Sequence, residues 1–287
     1  MIIIHPYGGL CNRMRCIDSG IHLARELGQE MTVIWQPTSE LNACFEDLFS
    51  PPGSFLIREH PPPLISRAVF GKRPSHCLLR AVFKKTNNLL LLEGRLKHIF
   101  REENVLSQLS PYRNIYVYSD DRFMYPEVYD AFRPTERIQR VVDAFTRRFR
   151  EDTVGIHIRR TDHEQATRES PISLFVERME DRLNKDPKAN FFLATDDITV
   201  KRMLTERFGG AVITQEAELS RKTKSGVAAA VVDLFVLAQT GTIWGSYGSS
   251  FCETAHYLGN NDFILLRRKN HAANSSDRVA GAGKQSA

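Results

Sequence analysis

A chain of 287 residues, 42% hydrophobic and 25% charged, has the composition of a folded protein and the length of one large domain or two of ordinary size. That composition excludes a disordered, collagen-like or disulfide-built class. The net charge of +5 is local: from Arg267 onward five basic residues face one acid, leaving 34 basic and 33 acidic residues in the rest, so a broad nucleic-acid footprint is excluded while a small anion pocket is not.

The first pattern along the chain is a short apolar strand at 2–5, a Pro6-Tyr7-Gly8-Gly9 turn, and apolar residues at helical spacing from Met14 to Leu27 that Gly28 stops. A second strand is expected at 31–35. Between 50 and 74, Pro51-Pro52-Gly53 and Pro61-Pro62-Pro63 break regular structure and predict an extended, exposed path. Strands follow at 89–92 and 115–118, and Pro134 marks a domain boundary. Beyond it the spacing of Ile138, Val141, Val142 and Phe145 predicts a helix. Strand 154–158 comes next, then a helix opened by Ser170 as N-cap and Pro171 at its first position. Strand 191–194, a helix through 203–208, strand 211–214, a helix at 227–239, strand 242–244, a helix after Ser250 and strand 263–266 complete the alternation. Residues 270–287 have almost nothing apolar to bury and read as a disordered tail. Alternating strands and helices predict parallel sheets covered on both faces, with ligands at the carboxyl ends of the strands.

Five cysteines (Cys11, Cys16, Cys44, Cys77, Cys252) make an odd, scattered set without a CxxC pair, which reads as reduced thiols and gives no zinc site. The apolar stretch at 1–4 is too short for a leader core, and no segment reaches the roughly 18 apolar residues of a spanning helix. A cytoplasmic protein with no transmembrane segment is the expectation.

Chemistry-bearing residues fall where strands are expected to end. In Val154-Gly155-Ile156-His157-Ile158-Arg159-Arg160-Thr161-Asp162 the apolar residues share one face, leaving His157 and Arg159 on the other. Tandem arginines suit a pyrophosphate; the alternative is that Arg159 and Arg160 pair with Asp162 and surface carboxylates. Strand 191–194 runs into Thr195-Asp196-Asp197, where Asp196 is placed to orient a sugar hydroxyl or an arginine and Asp197 to cap a helix. Asp233 interrupts an apolar helix, so it is either an acceptor for two donors of a guanine ring or half of an ion pair with an arginine. The Gly245-to-Ala255 stretch, with Ser249 and Ser250, opens a helix and reads as an anion turn or an ordinary strand-to-helix turn. Gly8-Gly9-Leu10-Cys11-Asn12 is by itself a weak phosphate loop, and neither a GxGxxG nor a Walker A pattern is present.

Taken in order, the Gly-Gly-Leu-x-Asn loop, His157-Ile158-Arg159-Arg160-Thr161-Asp162, Thr195-Asp196-Asp197, Asp233 and the Ser249-Ser250 turn resemble the α-1,6-fucosyltransferases, the nodulation fucosyltransferases and the protein O-fucosyltransferases. The resemblance covers residues 2–27 and 154–258. It implies an α/β, GT-B-like fold of two Rossmann-like halves facing a cleft: an acceptor-side half at 1–134 and a nucleotide-sugar half at 135–269. It also implies a GDP-fucose donor, inversion at the anomeric carbon, and neither metal nor other cofactor; it leaves the acceptor open, a glycan or lipid-linked oligosaccharide being the first expectation. Carried onto this chain, Arg159 grips the pyrophosphate, His157 lies beside the nucleotide, and Arg160 stabilises the departing charge or shapes the site. By the same resemblance Asp233 reads guanine, Ser249 or Ser250 binds phosphate, and Asn12 approaches the pyrophosphate. Asp162 and Asp196 orient donor or acceptor. Where α-1,6-type members carry a lysine and then a glutamate after the motif's aspartate, this chain has His163 and, near the second place, Thr167. That leaves His163, Glu164 or Glu169 as the acceptor's base, His163 having the most suitable ordinary pKa. Two other readings stay open: a transferase for another GDP-sugar, and a catalytically silent nucleotide- or glycan-binding protein.

Overall fold

The computed structural model describes residues 1–63, 66, 87–125, 127–161, 164–218 and 220–268. Cys77, Asp162, His163 and the 270–287 tail lie outside the described residues, as does most of the second half of the proline-rich stretch. The chain divides into two units, one of Met1–Thr135 with Arg221–Lys224, the other of Glu136–Ser220 with Ser225–Ala287.

In the first unit the apolar run at the start forms β1 (Ile2–Pro6), buried along its whole length because it is the central strand. It pairs in parallel with β2 (Met31–Ile34) on one side and β5 (Asn114–Ser119) on the other. The full order is β3-β2-β1-β5-β4, with β3 at Leu56–Arg58 and β4 at Asn88–Leu92. The proline-rich stretch thus holds a three-residue edge strand that the sequence pattern did not reveal. Helix α1 (Leu10–Leu27) begins directly after the Gly8-Gly9 turn and stops at Gly28, as its spacing predicts. Its buried face is only partly apolar. Asp18 accepts the amides of Val128 and Tyr129 at 3.2 and 2.9 Å, and Ser19 accepts those of Phe123 and Met124 at 3.0 and 3.2 Å. One helix therefore satisfies the backbone of the segment leaving β5, which otherwise would lose its hydrogen bonds on burial. Short helices α2 (Phe45–Leu48), α3 (Glu93–Ile99) and α4 (Val105–Leu109) are further elements of the unit among the described residues.

In the second unit α5 (Glu136–Thr146) leads into β6 (Val154–Ile158), again central and wholly buried. The order is β10-β9-β6-β7-β8, all parallel, with β7 at Phe191–Thr195, β8 at Val212–Ile213, β9 at Thr242–Gly245 and β10 at Asp262–Leu265. Between the strands run α6 (Glu164–Glu169), α7 (Ile172–Lys185), α8 (Ile198–Phe208), α9 (Lys224–Ala238) and α10 (Ser250–Gly259). Val154, Ile156 and Ile158 pack into a core with Phe175, Met179, Phe191, Leu193 and Trp244. Each such fully buried side chain stabilises the fold by about 1.5–3 kcal/mol.

Ser170 does not cap the following helix. Pro171 takes that position, because the Ser170 hydroxyl is engaged by the Tyr247 amide at 2.8 Å. Asp197 does cap α8, accepting the amides of Thr199 and Val200 at 2.8 and 3.2 Å. On the opposite face of β6 from the core, Gly155 is where α9 ends. A Cβ there would lie 2.6 Å from Thr240 Oγ1 and 2.9 Å from Leu237 Cδ2, closer than real atoms approach. Gly155→Ala should therefore lower unfolding stability by about 1–3 kcal/mol, the range for overpacking a filled site. Chemical denaturation checks this, and an unchanged midpoint would mean that α9 sits back from the strand.

Candidate active site

The strand order gives the second unit a switch point. The chain steps from β6 to β7 to β8 on one side, then crosses to β9 on the other, so the connections leaving β6 and β9 part at the carboxyl end of the sheet. His157 and Arg159, the Asp196 turn, and the Ser246–Ser250 turn all lie at that end.

Asp196 is the hub. Its Oδ1 accepts the Arg160 amide at 2.8 Å, and its Oδ2 accepts Arg159 Nη1 at 2.7 Å and the Thr161 hydroxyl at 2.9 Å. The two side chains of the ion pair are only 18% and 19% exposed, which makes this more than a screened surface contact. Of its two expected uses, orienting a sugar hydroxyl or an arginine, the structure displays the second. The parallel register explains the meeting, since Ile158 pairs with Thr195 and the next residues of both strands emerge side by side.

Arg160 is held differently. Its guanidinium donates to the carbonyls of Arg159 and Ser170 at 2.8 and 2.9 Å, and burial lowers its pKa. A side chain so engaged shapes the turn.

His157 sits behind the turn after β9. Its ring stacks on Phe251 with centroids 4.7 Å apart, and Nδ1 lies 3.0 Å from Cys252 Sγ and 3.3 Å from Ser249 Oγ. Burial pushes the imidazole pKa down to about 3 and the Cys252 thiol up to about 12, so both are neutral near pH 7. This histidine is a strut that seats the first turn of α10 on β6. Ser246 Oγ accepts the Arg159 amide at 3.0 Å, tying the β9 turn to the β6 turn. Gly248, at φ +64°, takes a left-handed conformation that turns the chain into α10. Ser249 is the N-cap residue of α10 and Ser250 its first residue, beside first-turn amides that lack partners within the helix. An arginine fork and a helix N-terminus at one switch point have the chemistry to receive an anion.

Asp233 lies within α9, 7% exposed. Its partner is not an arginine. Gln215 Nε2 donates to its carboxylate, and the Lys201 ammonium, which donates to the Gln215 carbonyl at 2.9 Å, adds its charge. Burial outweighs both and raises the Asp233 pKa to about 7. Gln215 also donates to the Ala229 carbonyl at 2.7 Å, which fixes its amide. Asn12 belongs to the first unit, in the opening turn of α1, with its Nδ2 3.4 Å from where a Cβ on Gly8 would stand. Glu164 and Glu169 bound α6, whereas Asp162 and His163 fall outside the described residues. Among the described residues no group of three or more His, Cys, Asp or Glu side chains could hold a metal ion.

The sequence pattern gave Gln215 and Lys201 no role, Ser170 only that of a cap, and Ser246 and Cys252 only membership of the turn at 245–255. Only Lys201 carried a signal, as a charged residue on the face of α8 that Val200 and Leu204 bury.

No family model matches the sequence, and no curated protein sequence matches it. Solved structures do. The fucosyltransferase NodZ from Bradyrhizobium superposes with a TM-score of 0.61 at 18% identity, over 92% of this chain and 94% of that one. An arginine-to-lysine mutant of Arabidopsis thaliana FUT1, solved in complex with GDP, gives 0.64 at 14% identity over 94% and 70%. POFUT1 in complex with GDP-fucose gives 0.54 at 10% identity over 92% and 97%. The chain thus has an α/β, GT-B-like fold, and it is the fold of these fucosyltransferases.

The state of His157 has a thermodynamic consequence. An imidazole that stays neutral when folded but protonates near pH 6.5 when unfolded contributes stability that is present above pH 6.5 and is lost as the pH falls toward 3. Between pH 6.5 and 4.5 the wild type should lose on the order of 2 kcal/mol more than His157→Gln. Denaturant titrations at a series of pH values measure the difference, and parallel curves would contradict a buried neutral ring.

Proposed function

We propose that this protein is an inverting, metal-independent glycosyltransferase that moves fucose from GDP-fucose to a glycan or lipid-linked oligosaccharide. One observation carries the proposal: the Asp196-held Arg159 fork and the α10 N-terminus both lie at the carboxyl-end switch point of a fold shared with NodZ, which was solved after soaking with GDP-fucose.

In this reading Arg159, the first amides of α10 and the Ser249 and Ser250 hydroxyls receive the pyrophosphate. An acceptor hydroxyl attacks the anomeric carbon from the face opposite the nucleotide. The bond from that carbon to the β-phosphate oxygen breaks, GDP leaves with the electron pair, and the configuration inverts. Negative charge grows on the leaving oxygen, where fixed N–H donors stabilise it more in the transition state than in the ground state. The acceptor's proton passes to a base on the stretch after β6, with His163, Glu164 and Glu169 as the candidates; the neutral, enclosed His157 is not one of them. Metal independence is supported by the engagement of the adjacent carboxylates, Asp196 with arginine and backbone and Asp197 with a helix end. Asp233 reads the guanine ring.

Guanine presents two adjacent donors, which an ionised Asp233 accepts and a protonated one does not. With its pKa near 7, affinity for GDP-fucose should fall roughly tenfold from pH 7.5 to 6. GDP-fucose suits the measurement because its pyrophosphate is diesterified and does not itself titrate in that range. Asp233→Asn should bind more weakly by about 1.5–3 kcal/mol and lose both the pH dependence and the preference over ADP- and UDP-sugars. Calorimetry with the three nucleotides decides; equal affinity for all of them in the wild type would remove the guanine assignment.

A further inference from the structure

One buried cation of the second unit takes no part in the anion site. Lys201, on α8, is only 6% exposed, and its ammonium donates to the Gln215 carbonyl at 2.9 Å, just past the end of β8. A neutral donor would serve a single carbonyl as well, whereas an ammonium removed from water costs several kcal/mol unless an opposite charge offsets it. Burial lowers the Lys201 pKa, while Asp233 first and the exposed Glu216 second raise it. The buried positive charge of α8 is therefore set against the buried carboxylate of α9. Among the described residues Lys201 is the charged group that acts on Asp233, and Glu216 acts on Lys201.

Gln215 joins the two. Its side chain is buried, and Nε2 donates both to the Asp233 carboxylate and to the Ala229 carbonyl, the latter at 2.7 Å. Residues 229 and 233 lie one turn apart on the same face of α9. Both partners can only accept when Asp233 is ionised, so the amide nitrogen must face them and the amide cannot turn over. Lys201 holds the same residue by its backbone. A single residue beyond β8 thus ties α8 to α9, with the carboxylate at the far end of the chain of contacts.

We propose that Lys201 and Gln215 are positioning residues for nucleobase recognition, which hold the Asp233 carboxylate in one orientation and in its ionised form for the two donors of guanine. The proposal rests on the guanine reading above and adds what governs that contact. Without the Lys201 charge, burial is opposed by Gln215 alone, so the carboxyl keeps its proton to higher pH and stops accepting from the base.

The test uses the full chain and two readouts. Carbon-13 NMR follows the aspartate carboxyls through a pH titration without nucleotide, the Asp233 signal being the one missing from Asp233→Asn. Calorimetry measures GDP-fucose affinity at pH 6.5 and 8.5. In Lys201→Met the Asp233 midpoint should rise by about one pH unit or more. Affinity should then fall about tenfold at pH 6.5 and less than about twofold at pH 8.5, because the deficit is confined to the range where the carboxyl is protonated. Gln215→Leu should move both readouts in the same direction, and it removes no buried charge, so it serves where the lysine variant folds poorly. An unmoved Asp233 midpoint in either folded variant, or an affinity deficit equal at the two pH values, would overturn the proposal; the second result is what a purely structural role produces. Wild-type affinity that Asp233→Asn leaves unchanged would bring down the guanine reading and this proposal with it. An Asp233-dependent affinity that neither variant alters would bring down this proposal alone.

Discussion

The carboxylate of Asp196 is the point on which the second unit's site depends. It stands at the end of β7 and fixes three things on the neighbouring strand: the Arg159 fork, the Arg160 amide and the Thr161 hydroxyl. Charge-assisted hydrogen bonds of this kind are about twice as strong as neutral ones. Partial burial also makes the loss of either partner costly, because the survivor keeps its charge in a poorly solvated place. The entropy of ordering the arginine is therefore spent during folding and not during binding, which is the condition for a preorganised anion site.

That arrangement requires the strands to end together, and the architecture supplies this. β6 is the central strand, flanked by β7 and β9. On its core face three aliphatic residues lock it to α7 through Phe175 and Met179. On its other face Gly155 admits α9, and His157 receives the first turn of α10 through Phe251, Cys252 and Ser249. Ser246 then ties the β9 turn to the Arg159 amide, so three strand ends are cross-linked by side chains before any ligand arrives.

Much of this was legible in the sequence. Buried parallel strands read as short apolar runs, and those at 2–5 and 154–158 stand at the centres of the two sheets. A buried strand that runs straight into arginines or aspartates pointed to its own carboxyl end. The exact partners of distant residues were less legible. Asp196 was expected to orient a sugar hydroxyl or an arginine, but only the β6–β7 register, a property of the sheet, puts it beside Arg159. Asp233 was expected to face either a nucleobase or an arginine; it meets Gln215 and Lys201, which come from the end of β8 and from α8. Ser170 matched a capping pattern, yet tertiary bonds to Tyr247 and Arg160 drew it away. The strand at Leu56–Arg58 escaped notice because an exposed three-residue edge strand leaves little pattern.

The central claim is that the Asp196-held arginine at this switch point serves fucosyl transfer, and product analysis tests it most directly. Wild type and Arg159→Lys are incubated in EDTA with GDP-fucose and a glycan panel. Proton NMR follows the new anomeric signal, and thermal unfolding is recorded for both proteins. The account predicts a fucosylated glycan of inverted configuration from the wild type. It also predicts a turnover per folded molecule about a hundredfold lower for the lysine variant, which keeps the charge but loses the fork. Absence of fucosylated product, strict dependence on added Mn²⁺ or Mg²⁺, or full turnover by Arg159→Lys would contradict it.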